Sequence, residues 1–357
     1  MNSQVTDYYT TTPSAWEAML AECRDAEKSI RMEEYIFHPD SIGNRFIDLF
    51  IAKAREGVDV RLLLDWYGCL ELIGSSRLKE LENAGVRVCF FNKPRLAWLK
   101  RFNFFPRDHR KILMIDERSA YIGGVCIYDT IHDWRDSMLR LEGKVIQQLR
   151  YIFEQSWAKS QASDDEEIDA HPDFETDGDI SIQANAPESG EHYFIDSLLE
   201  QIDAAEKSVK LATPYFTPDQ RLSKALVRAV QRGVDVQILL SDYSGYAPYV
   251  VGKHCCGGLL AAGIRINYYE PSMLHLKMMI VDGNWAAIGS CNLDGLSLHQ
   301  NHEAMLVSNR KEIVETLGDH FSRDLAQSPS YEMPDWRGRP LKEKLAGYLF
   351  YPFRRYL

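Results

Sequence analysis

The sequence predicts a mixed α/β (α+β) fold made of two duplicated domains, each with a mixed β-sheet covered by helices. The first indication is a repeated phrase: HRKILMIDERSAYIGG begins at His109, and HLKMMIVDGNWAAIGS begins at His275. The second is that apolar runs of strand length alternate with segments of helical periodicity in both halves. The third is the length of 357 residues, which is enough for two domains with separate cores.

The repeat extends well beyond this phrase. REGVDVRLLLDWYG, which begins at Arg55, matches QRGVDVQILLSDYSG, which begins at Gln231. NAGVRV at Asn83 matches AAGIRI at Ala261. The chain is therefore predicted to divide into an N-terminal domain over 1–160, an acidic linker over 161–184, a C-terminal domain over 185–328 and a basic tail over 329–357.

Each half is predicted to contain the same elements in the same order. In the first half, an amphipathic helix over 15–27 leads to a short apolar strand over 30–37. A second helix ends at Gly57, because glycine readily adopts the left-handed conformation that follows many helices. A buried strand comes next, and a further helix and strand lead to the repeated phrase. The two apolar runs of that phrase predict a hairpin.

Charge is distributed unevenly along the chain. The formal net charge is −11, but residues 160–206 contain fifteen Asp and Glu and no Lys or Arg, so the rest of the chain carries +4. The acidic stretch predicts a solvated linker. Seven scattered cysteines without a C-x-x-C pair indicate a reducing compartment. With no signal peptide and no apolar stretch of membrane-spanning length, we expect a cytoplasmic protein, peripheral on the inner face of the cell membrane.

The first half carries an additional segment directly before its motif histidine. This segment, KPRLAWLKRFNFF over 93–105, contains four basic residues, no acid, one tryptophan and three phenylalanines. Basic charge interleaved with aromatic rings fits an anionic, partly apolar partner such as a lipid interface or single-stranded nucleic acid. The alternative is a surface loop that its own domain covers.

Both copies of the phrase place Lys two, Asp seven and Gly fourteen residues after a histidine. His109 and Lys111, like His275 and Lys277, are expected on strands, where residues two apart face the same side. Two imidazoles and two ammonium groups suit a phosphodiester, because the lysines neutralise its oxygens while one imidazole attacks phosphorus and the other donates a proton to the leaving oxygen. Neither histidine has neighbouring thiolates or paired carboxylates, so no metal or other cofactor is predicted.

A nucleophilic imidazole needs its second nitrogen held, and two downstream acids fit that task. Asp136 lies 27 residues after His109, and Glu303 lies 28 residues after His275. Each acid begins an apolar run. We therefore expect Asp136 to orient His109 and Glu303 to orient His275.

The two motif aspartates, Asp116 and Asp282, close the first strand of each hairpin before its turn. They belong to the repeated set of candidate catalytic residues. We expect structural hydrogen bonding from them rather than direct chemistry.

Further candidates follow the last glycine of each motif. In the second half, Ser290 and Asn292 come after Gly289 and are well placed to donate hydrogen bonds to a phosphate. In the first half, Gly124 is the corresponding candidate for substrate binding, and Cys126 stands where Asn292 falls in the second half. The two halves are therefore predicted to differ in the hydrogen bonds that they donate to the phosphate.

The duplicated pattern His-x-Lys-x4-Asp-x6-Gly-[Gly/Ser] resembles the signature of the phospholipase D superfamily, and the resemblance covers about 14–323. EEYIFHPDSIGNRF and IGSCNLDGLSLHQNHE are most similar to bacterial cardiolipin synthases of the short type, which lack N-terminal membrane helices. The resemblance implies two phospholipase D-like sandwich domains related by a pseudo-twofold axis, with both histidines at one phosphate.

The family pattern implies that His109 is the nucleophile and that His275 is the general acid and then the base. It implies that Lys111, Lys277 and Asn292 hold the phosphate. The implied reaction is metal-free transfer of a phosphatidyl group from one phospholipid, such as phosphatidylglycerol, to an alcohol of another.

Three alternatives remain open. A phospholipase would use water as the acceptor. A nuclease of the same superfamily is disfavoured by the acidic net charge and the lack of a long basic stripe. A non-catalytic lipid-binding scaffold is disfavoured by the two intact motifs, although Cys126 departs from the asparagine that is usual in the family.

The C-terminal sequence WRGRPLKEKLAGYLFYPFRRYL is basic and has apolar residues at helical spacing. A basic amphipathic segment that ends in aromatic residues fits an anionic membrane surface. We expect residues 334–357, together with 93–105, to contact such a surface. The alternative is a final helix docked on its own domain.

Overall fold

The computed structural model describes residues 2–93, 106–161, 178–187, 191–242 and 245–356. Apart from Lys93, the predicted lipid-binding segment 93–105 lies outside these residues, as does most of the predicted linker. The chain forms two compact units, and the first contains Met1–Ile182 together with Asn301–Ala304. The second contains Gln183–Gln300 together with Met305–Leu357.

The first unit contains a seven-stranded mixed sheet in the order β1-β7-β6-β5-β2-β3-β4. Strands β2, β3 and β4 are parallel, and the remaining pairs are antiparallel. The strands are β1 (Gln4–Tyr9), β2 (Ser29–Glu34), β3 (Asp59–Asp65), β4 (Arg87–Phe91), β5 (Ile112–Ile115), β6 (Ser119–Gly123) and β7 (Met138–Glu142). The helices are α1 (Thr12–Arg24), α2 (Ser41–Arg55), α3 (Leu70–Ile73), α4 (Ser76–Asn83) and α5 (Val145–Gln161).

The second sheet has nine strands in the order β16-β12-β11-β10-β13-β14-β15-β8-β9. The strands are β8 (Ile180–Ala186), β9 (Glu191–His192), β10 (Ser208–Thr213), β11 (Asp235–Ser241), β12 (Arg265–Tyr269), β13 (Met278–Val281), β14 (Trp285–Gly289), β15 (Glu303–Ser308) and β16 (Ser330–Tyr331). The helices are α6 (Tyr193–Ala204), α7 (Gln220–Gln231), α8 (Tyr246–Ala261), α9 (Gly295–His299), α10 (Lys311–Leu325), α11 (Met333–Gly338) and α12 (Leu341–Phe350), and a 3₁₀ segment (Tyr351–Tyr356) follows.

The two sheets repeat one topology. The order β7-β6-β5-β2-β3-β4 of the first recurs as β15-β14-β13-β10-β11-β12 in the second, with the same parallel and antiparallel pairs. The predicted fold of two duplicated mixed sheets with helices is therefore confirmed. Each unit also has its own apolar core, centred on residues such as Phe46 and Phe50 in the first and Phe194 and Leu226 in the second.

The second helix of each repeat begins and ends as its sequence dictates. Asp40 and Asp219 cap α2 and α7, accepting hydrogen bonds from backbone N–H groups of the first turn. Gly57 and Gly233 follow the helices with φ of +94° and +89°, a conformation that costs glycine little. Among the described residues, no helix is long and apolar enough to cross a membrane.

The motif aspartates tie each hairpin turn to the start of a neighbouring strand. Asp116 accepts hydrogen bonds of 2.7–2.9 Å from the backbone N–H groups of Glu27, Lys28 and Ser29, just before and at the start of β2. Partial burial opposes the charged form of Asp116, but these donors outweigh burial and lower the pKa of the carboxyl group. Asp282 makes the same set of bonds in the second unit. Both aspartates thus make structural hydrogen bonds of the kind expected, and a catalytic part for them stays a prediction.

Replacing Asp116 should destabilise the first unit. Asp116→Ala leaves three backbone donors without this acceptor and strains a backbone with φ of +53°, so we expect the free energy of unfolding to fall by about 1–3 kcal/mol. The loss should appear above about pH 4 and shrink at lower pH, because a carboxyl group with a lowered pKa stabilises the fold only when it is ionised. Urea unfolding measures both effects. Asp116→Asn, which tolerates positive φ and keeps one oxygen, should lose less; equal stability of Asp116→Ala and wild type would contradict this role.

Candidate active site

The motif histidine of the first unit lies just before a strand rather than on it. The strand β5 begins at Ile112, so the prediction that His109 and Lys111 are strand residues is wrong. The reason is that this backbone pairs elsewhere: His109 N donates to His302 O at 2.9 Å, and His302 N donates to Arg107 O at 2.8 Å. The same holds in the second unit, where β13 begins at Met278, after Lys277.

This backbone pairing brings Glu303 to the first histidine. The Nδ1 atom of His109 lies 2.9 and 3.0 Å from the two carboxylate oxygens of Glu303, within the first unit. The assignment of Glu303 to His275 is therefore wrong, and so is the assignment of Asp136 to the same nitrogen of His109. The repeat spacing suggested pairing within each half, whereas residues 301–304 belong to the first unit despite their position late in the sequence.

The pair of His109 and Glu303 determines which nitrogen can react. Glu303 is fully buried and His109 is 8% exposed, so the hydrogen bond is shielded from water. A carboxylate accepts only, and the geometry therefore assigns the proton to Nδ1. In the neutral ring the lone pair is then on Nε2, which is the form that a nucleophilic histidine needs.

Lys111 is positioned by the backbone of the histidine that it accompanies. Its side chain is 1% exposed, and Nζ donates to His109 O at 2.6 Å. The same ammonium lies 5.0 Å from the centre of the Tyr35 ring, which also makes an edge contact with the imidazole of His109 at 4.8 Å. Tyr35 thus contacts both motif residues, and a buried positive charge stands close to the imidazole of His109.

A buried carboxyl group at the end of β2 lies near Lys111. Glu34 is 1% exposed, and its Oε1 accepts the backbone N–H of Tyr35 at 2.9 Å. Burial raises the pKa of Glu34 to about 8, although the charge of Lys111 and a hydrogen bond with the Cys126 thiol oppose this rise. Burial also raises the pKa of the Cys126 thiol, which therefore stays protonated.

A second group of buried polar side chains surrounds Arg110, the residue after His109. Arg110 donates to Glu303 O at 3.3 Å, to a Glu33 carboxylate oxygen at 3.3 Å and to Ser156 Oγ at 2.8 Å. Burial and the neighbouring Glu33 raise the pKa of Asp108 well above its usual range, which favours a neutral Asp108. The sequence analysis missed these residues. The two consecutive acids of β2 were the available signal, since acids in a buried strand need partners.

In the second unit the motif lysine contacts its histidine directly. Lys277 is fully buried, and its Nζ donates to His275 O at 2.6 Å and lies 2.9 Å from each ring nitrogen of His275. The ring of Tyr215 stands 6.4 Å from the imidazole at an interplanar angle of 82°. As in the first unit, an ammonium, an imidazole and an aromatic ring form one group.

The predicted phosphate donors of the second unit lie in a buried loop after β14. Ser290 and Asn292 are 1% and 4% exposed. Within the described ranges, the Oδ1 atom of Asn292 has no hydrogen-bond partner. Their role in binding a substrate stays a prediction.

In the corresponding loop of the first unit, Gly124 packs tightly against Asp136. A Cβ atom at Gly124 would lie 2.2 Å from Asp136 Oδ1, so no larger residue fits there. Asp136 is fully buried, and its Oδ1 accepts the backbone N–H of Ser137 at 2.8 Å. Substrate binding by Gly124 and a catalytic part for Asp136 stay predictions. In the part of the chain that the structure describes, no group of three or more His, Cys, Asp or Glu residues could hold a metal ion.

With this geometry established, the chain can be compared with known proteins. Residues 19–157 and 198–325 match the family model described as "Cardiolipin synthase, PLD-like domain". The chain belongs to this family. The resemblance that the motifs predicted is therefore confirmed, and both matched segments contain one complete copy of the repeated phrase.

Similar proteins with curated names support the same assignment. The chain is 32% identical over 330 residues to the probable cardiolipin synthase YwiE of Bacillus subtilis, covering 89% of this chain and 64% of that protein. It is 33% identical over 334 residues to cardiolipin synthase A of Pseudomonas syringae pv. syringae, covering 88% of this chain and 68% of that protein. The chain therefore spans about two thirds of the length of these relatives.

Solved structures support the fold. A phosphatidylserine synthase of Haemophilus influenzae superposes with a TM-score of 0.78 at 12% identity, covering 98% of this chain and 95% of that chain. A polyphosphate kinase of Porphyromonas gingivalis superposes with a TM-score of 0.64 at 12% identity, covering 99% of this chain and 53% of that chain. At these identities the likeness concerns the fold.

The buried Glu34 should make stability depend on pH. Its folded-state pKa of about 8 exceeds the usual value of 4.5, so its contribution to stability is full at low pH and is lost as pH rises from about 4.5 to about 8. Relative to Glu34→Gln, the wild type should lose up to about 5 kcal/mol over that interval. Urea unfolding at a series of pH values measures the difference. Glu82→Gln, at an exposed position of α4, should show no such trend, and parallel pH curves for Glu34→Gln and wild type would contradict the assignment.

Proposed function

We propose that the protein is a phosphatidyltransferase that moves a phosphatidyl group from one phospholipid to a hydroxyl group of another, as in cardiolipin synthesis. The observation that carries this proposal is the hydrogen bond between His109 Nδ1 and the buried Glu303 carboxylate. This bond favours a lone pair on Nε2 and stabilises the positive charge that the ring acquires when Nε2 bonds to phosphorus. The family match and the names of its relatives support the same reaction class.

The proposed reaction has two steps. In the first, His109 Nε2 attacks phosphorus, the bond from phosphorus to the headgroup oxygen breaks, and His275 gives its proton to that oxygen. In the second, His275 takes the proton from an acceptor hydroxyl group, whose oxygen attacks phosphorus and releases His109. The ammonium groups of Lys111 and Lys277 and the amide of Asn292 would hold the non-bridging oxygens. Water in place of the acceptor alcohol would give phosphatidic acid, the product of a phospholipase.

Product analysis tests this proposal. The protein is incubated with phosphatidylglycerol vesicles, and the lipids are measured by mass spectrometry. We expect cardiolipin and glycerol, with rates at least about 1,000-fold lower for His109→Ala and for His275→Ala because each removes a reacting group. The control is His132→Ala, because the His132 side chain is 64% exposed. Phosphatidic acid as the main product would replace the transferase with a phospholipase, and unchanged turnover in either motif variant would contradict the mechanism.

We also propose that the C-terminal tail binds the protein peripherally to an anionic membrane, on the inner face of the cell membrane. The tail docks on its own unit and still exposes an apolar face. Gly347 packs against His254 and Val250 of α8, and Trp336 Nε1 donates to Lys253 O at 2.8 Å. The side chains that remain 58–71% exposed are Leu341, Leu345, Tyr348, Leu349 and Phe353.

The charge around this face favours an anionic partner. The tail carries six basic and two acidic residues from Asp335 onward. The guanidinium groups of Arg354 and Arg355 lie 4.3 and 4.5 Å from the ring centres of Tyr351 and Tyr356. Aromatic rings next to basic groups are typical of segments that lie in a membrane interface.

Charge inserted into the apolar face should weaken membrane binding. For Leu345→Glu combined with Leu349→Glu, we expect partition onto phosphatidylglycerol vesicles to fall at least about tenfold, because two apolar side chains leave the interface and two negative charges face it. Co-sedimentation with the vesicles measures partition. The control is Leu70→Glu, since Leu70 lies in α3, outside the tail, and is 48% exposed. Equal partition of the double variant and the wild type would rule out the tail as the binding surface.

A further inference from the structure

The C-terminal 3₁₀ segment Tyr351–Tyr356, here called the C-terminal clamp, packs against the helix that follows the second motif. A Cβ atom at Gly295, the first residue of α9, would lie 2.5 Å from Arg355 Cα and 2.8 Å from Arg354 O. At the other end of α9, Gln300 Nε2 donates to Arg355 O at 2.7 Å. The backbone of the clamp is therefore in contact with both ends of α9.

The helix α9 is joined directly to the loop that contains Asn292. Asp294 caps α9, accepting the backbone N–H of Ser297 at 2.8 Å. One residue earlier, Leu293 N donates to Thr213 Oγ1 at 3.2 Å and Leu293 O accepts from Thr217 N at 3.1 Å. The end of β10 and the residues after it thus hold the loop on one side, and the clamp holds α9 on the other. Asn292 lies between these two supports, three residues before Gly295.

The first unit closes the equivalent loop differently. The repeat places Asp129 where the second unit has Gly295. The Asp129 carboxylate accepts the backbone N–H groups of Ser41 and Ile42 at 2.9 and 3.1 Å, and Asp129 N donates to Asp40 Oδ2 at 2.7 Å. That loop is fixed to the start of α2 by side chains of its own repeat. The second unit has a glycine there, and the C-terminal clamp packs against it. Its own repeat also holds α9, since His299 Nε2 lies 2.9 Å from Asp219 Oδ2 at the start of α7.

We propose that the C-terminal clamp positions Asn292 and couples contact of the tail with an anionic bilayer to the order of the phosphate-binding loop. The clamp continues α12 without a break, and Phe353 within it is 58% exposed, while the leucines of α12 are 61–71% exposed. A bilayer that takes up this face holds α12 and the clamp in place, and the clamp in turn holds α9 and the loop. Gly295 and the clamp are positioning elements that act through Asn292. This inference rests on the proposed function in taking a phospholipid bilayer as the partner.

Two sets of variants separate the clamp from the membrane surface. Gly295→Ala forces the clamp away from α9 but leaves the exposed face of α12 intact. Its control is Gly318→Ala, since a Cβ atom at Gly318 in α10 meets no other atom within 4 Å. Leu345→Glu with Leu349→Glu removes the membrane surface and leaves the contact at Gly295 intact.

Turnover of a short-chain phosphatidylglycerol, used below the concentration at which it aggregates, tests the clamp without a membrane. For Gly295→Ala we expect kcat to fall about tenfold while the protein stays folded and its vesicle partition matches that of Gly318→Ala. The double glutamate variant should show the reverse: wild-type turnover of this substrate and weak partition. In the background Asn292→Ala, adding Gly295→Ala should cause no further loss, because the clamp acts through Asn292. Additive losses, or wild-type turnover of Gly295→Ala, would overturn the inference.

Hydrogen exchange gives a readout that does not depend on catalysis. When phosphatidylglycerol vesicles are added to the wild type and to Gly318→Ala, backbone amides within 293–300 should become more protected, and in Gly295→Ala they should not. Unchanged exchange in the wild type would overturn the coupling even if turnover is present. Protection in the wild type together with an absence of any lipid product would leave the coupling standing and contradict the proposed function instead.

Discussion

The hydrogen bond between His109 and Glu303 is the interaction on which the rest of the candidate active site depends. A fully buried carboxylate is costly unless it is paired, and its partner here is the ring nitrogen that must be held for the other nitrogen to react. The bond requires Asn301–Ala304 to join the first unit, where backbone bonds between His302 and the segment before β5 fix their position. Four residues of the second repeat therefore belong to the first unit, and one of them is the partner of His109.

Most of the fold could be predicted from the sequence because each strand and turn is indicated twice, once in each repeat. Runs such as VDVRLLL and VDVQILL support each other as strands, and Asp116 and Asp282 repeat the same turn with the same three backbone donors. The partner of His109 could not be predicted in this way. Asp136 and Glu303 follow their motif histidines by almost equal intervals, which favours pairing within each half, and nothing in the composition of 301–304 indicates that four residues pack with the other repeat.

The repeats share a topology but differ in the electrostatics around their motifs. The strand registers align Glu34 with Thr213, and the loops align Cys126 with Asn292. Lys111 thus has a buried acid and a thiol as neighbours, while the second unit has the hydroxyl group of Thr213 and the amide of Asn292 at the corresponding positions. The sequence indicated this difference at Cys126. The burial of Glu34 was not predicted, because a charged residue in a strand is expected to face solvent.

The tail extends this asymmetry to the surface of the second unit. The C-terminal clamp lies against Gly295, and the loop before Gly295 contains the buried side chain of Asn292. Gly295 carries no side chain that could close this loop as Asp129 closes its counterpart. The second unit ties α9 to the start of α7 through His299 and Asp219, and the clamp adds a contact from outside the repeat. In the proposed coupling, the bilayer that supplies the substrate would also order the loop that contains Asn292, because it would hold the clamp against α9.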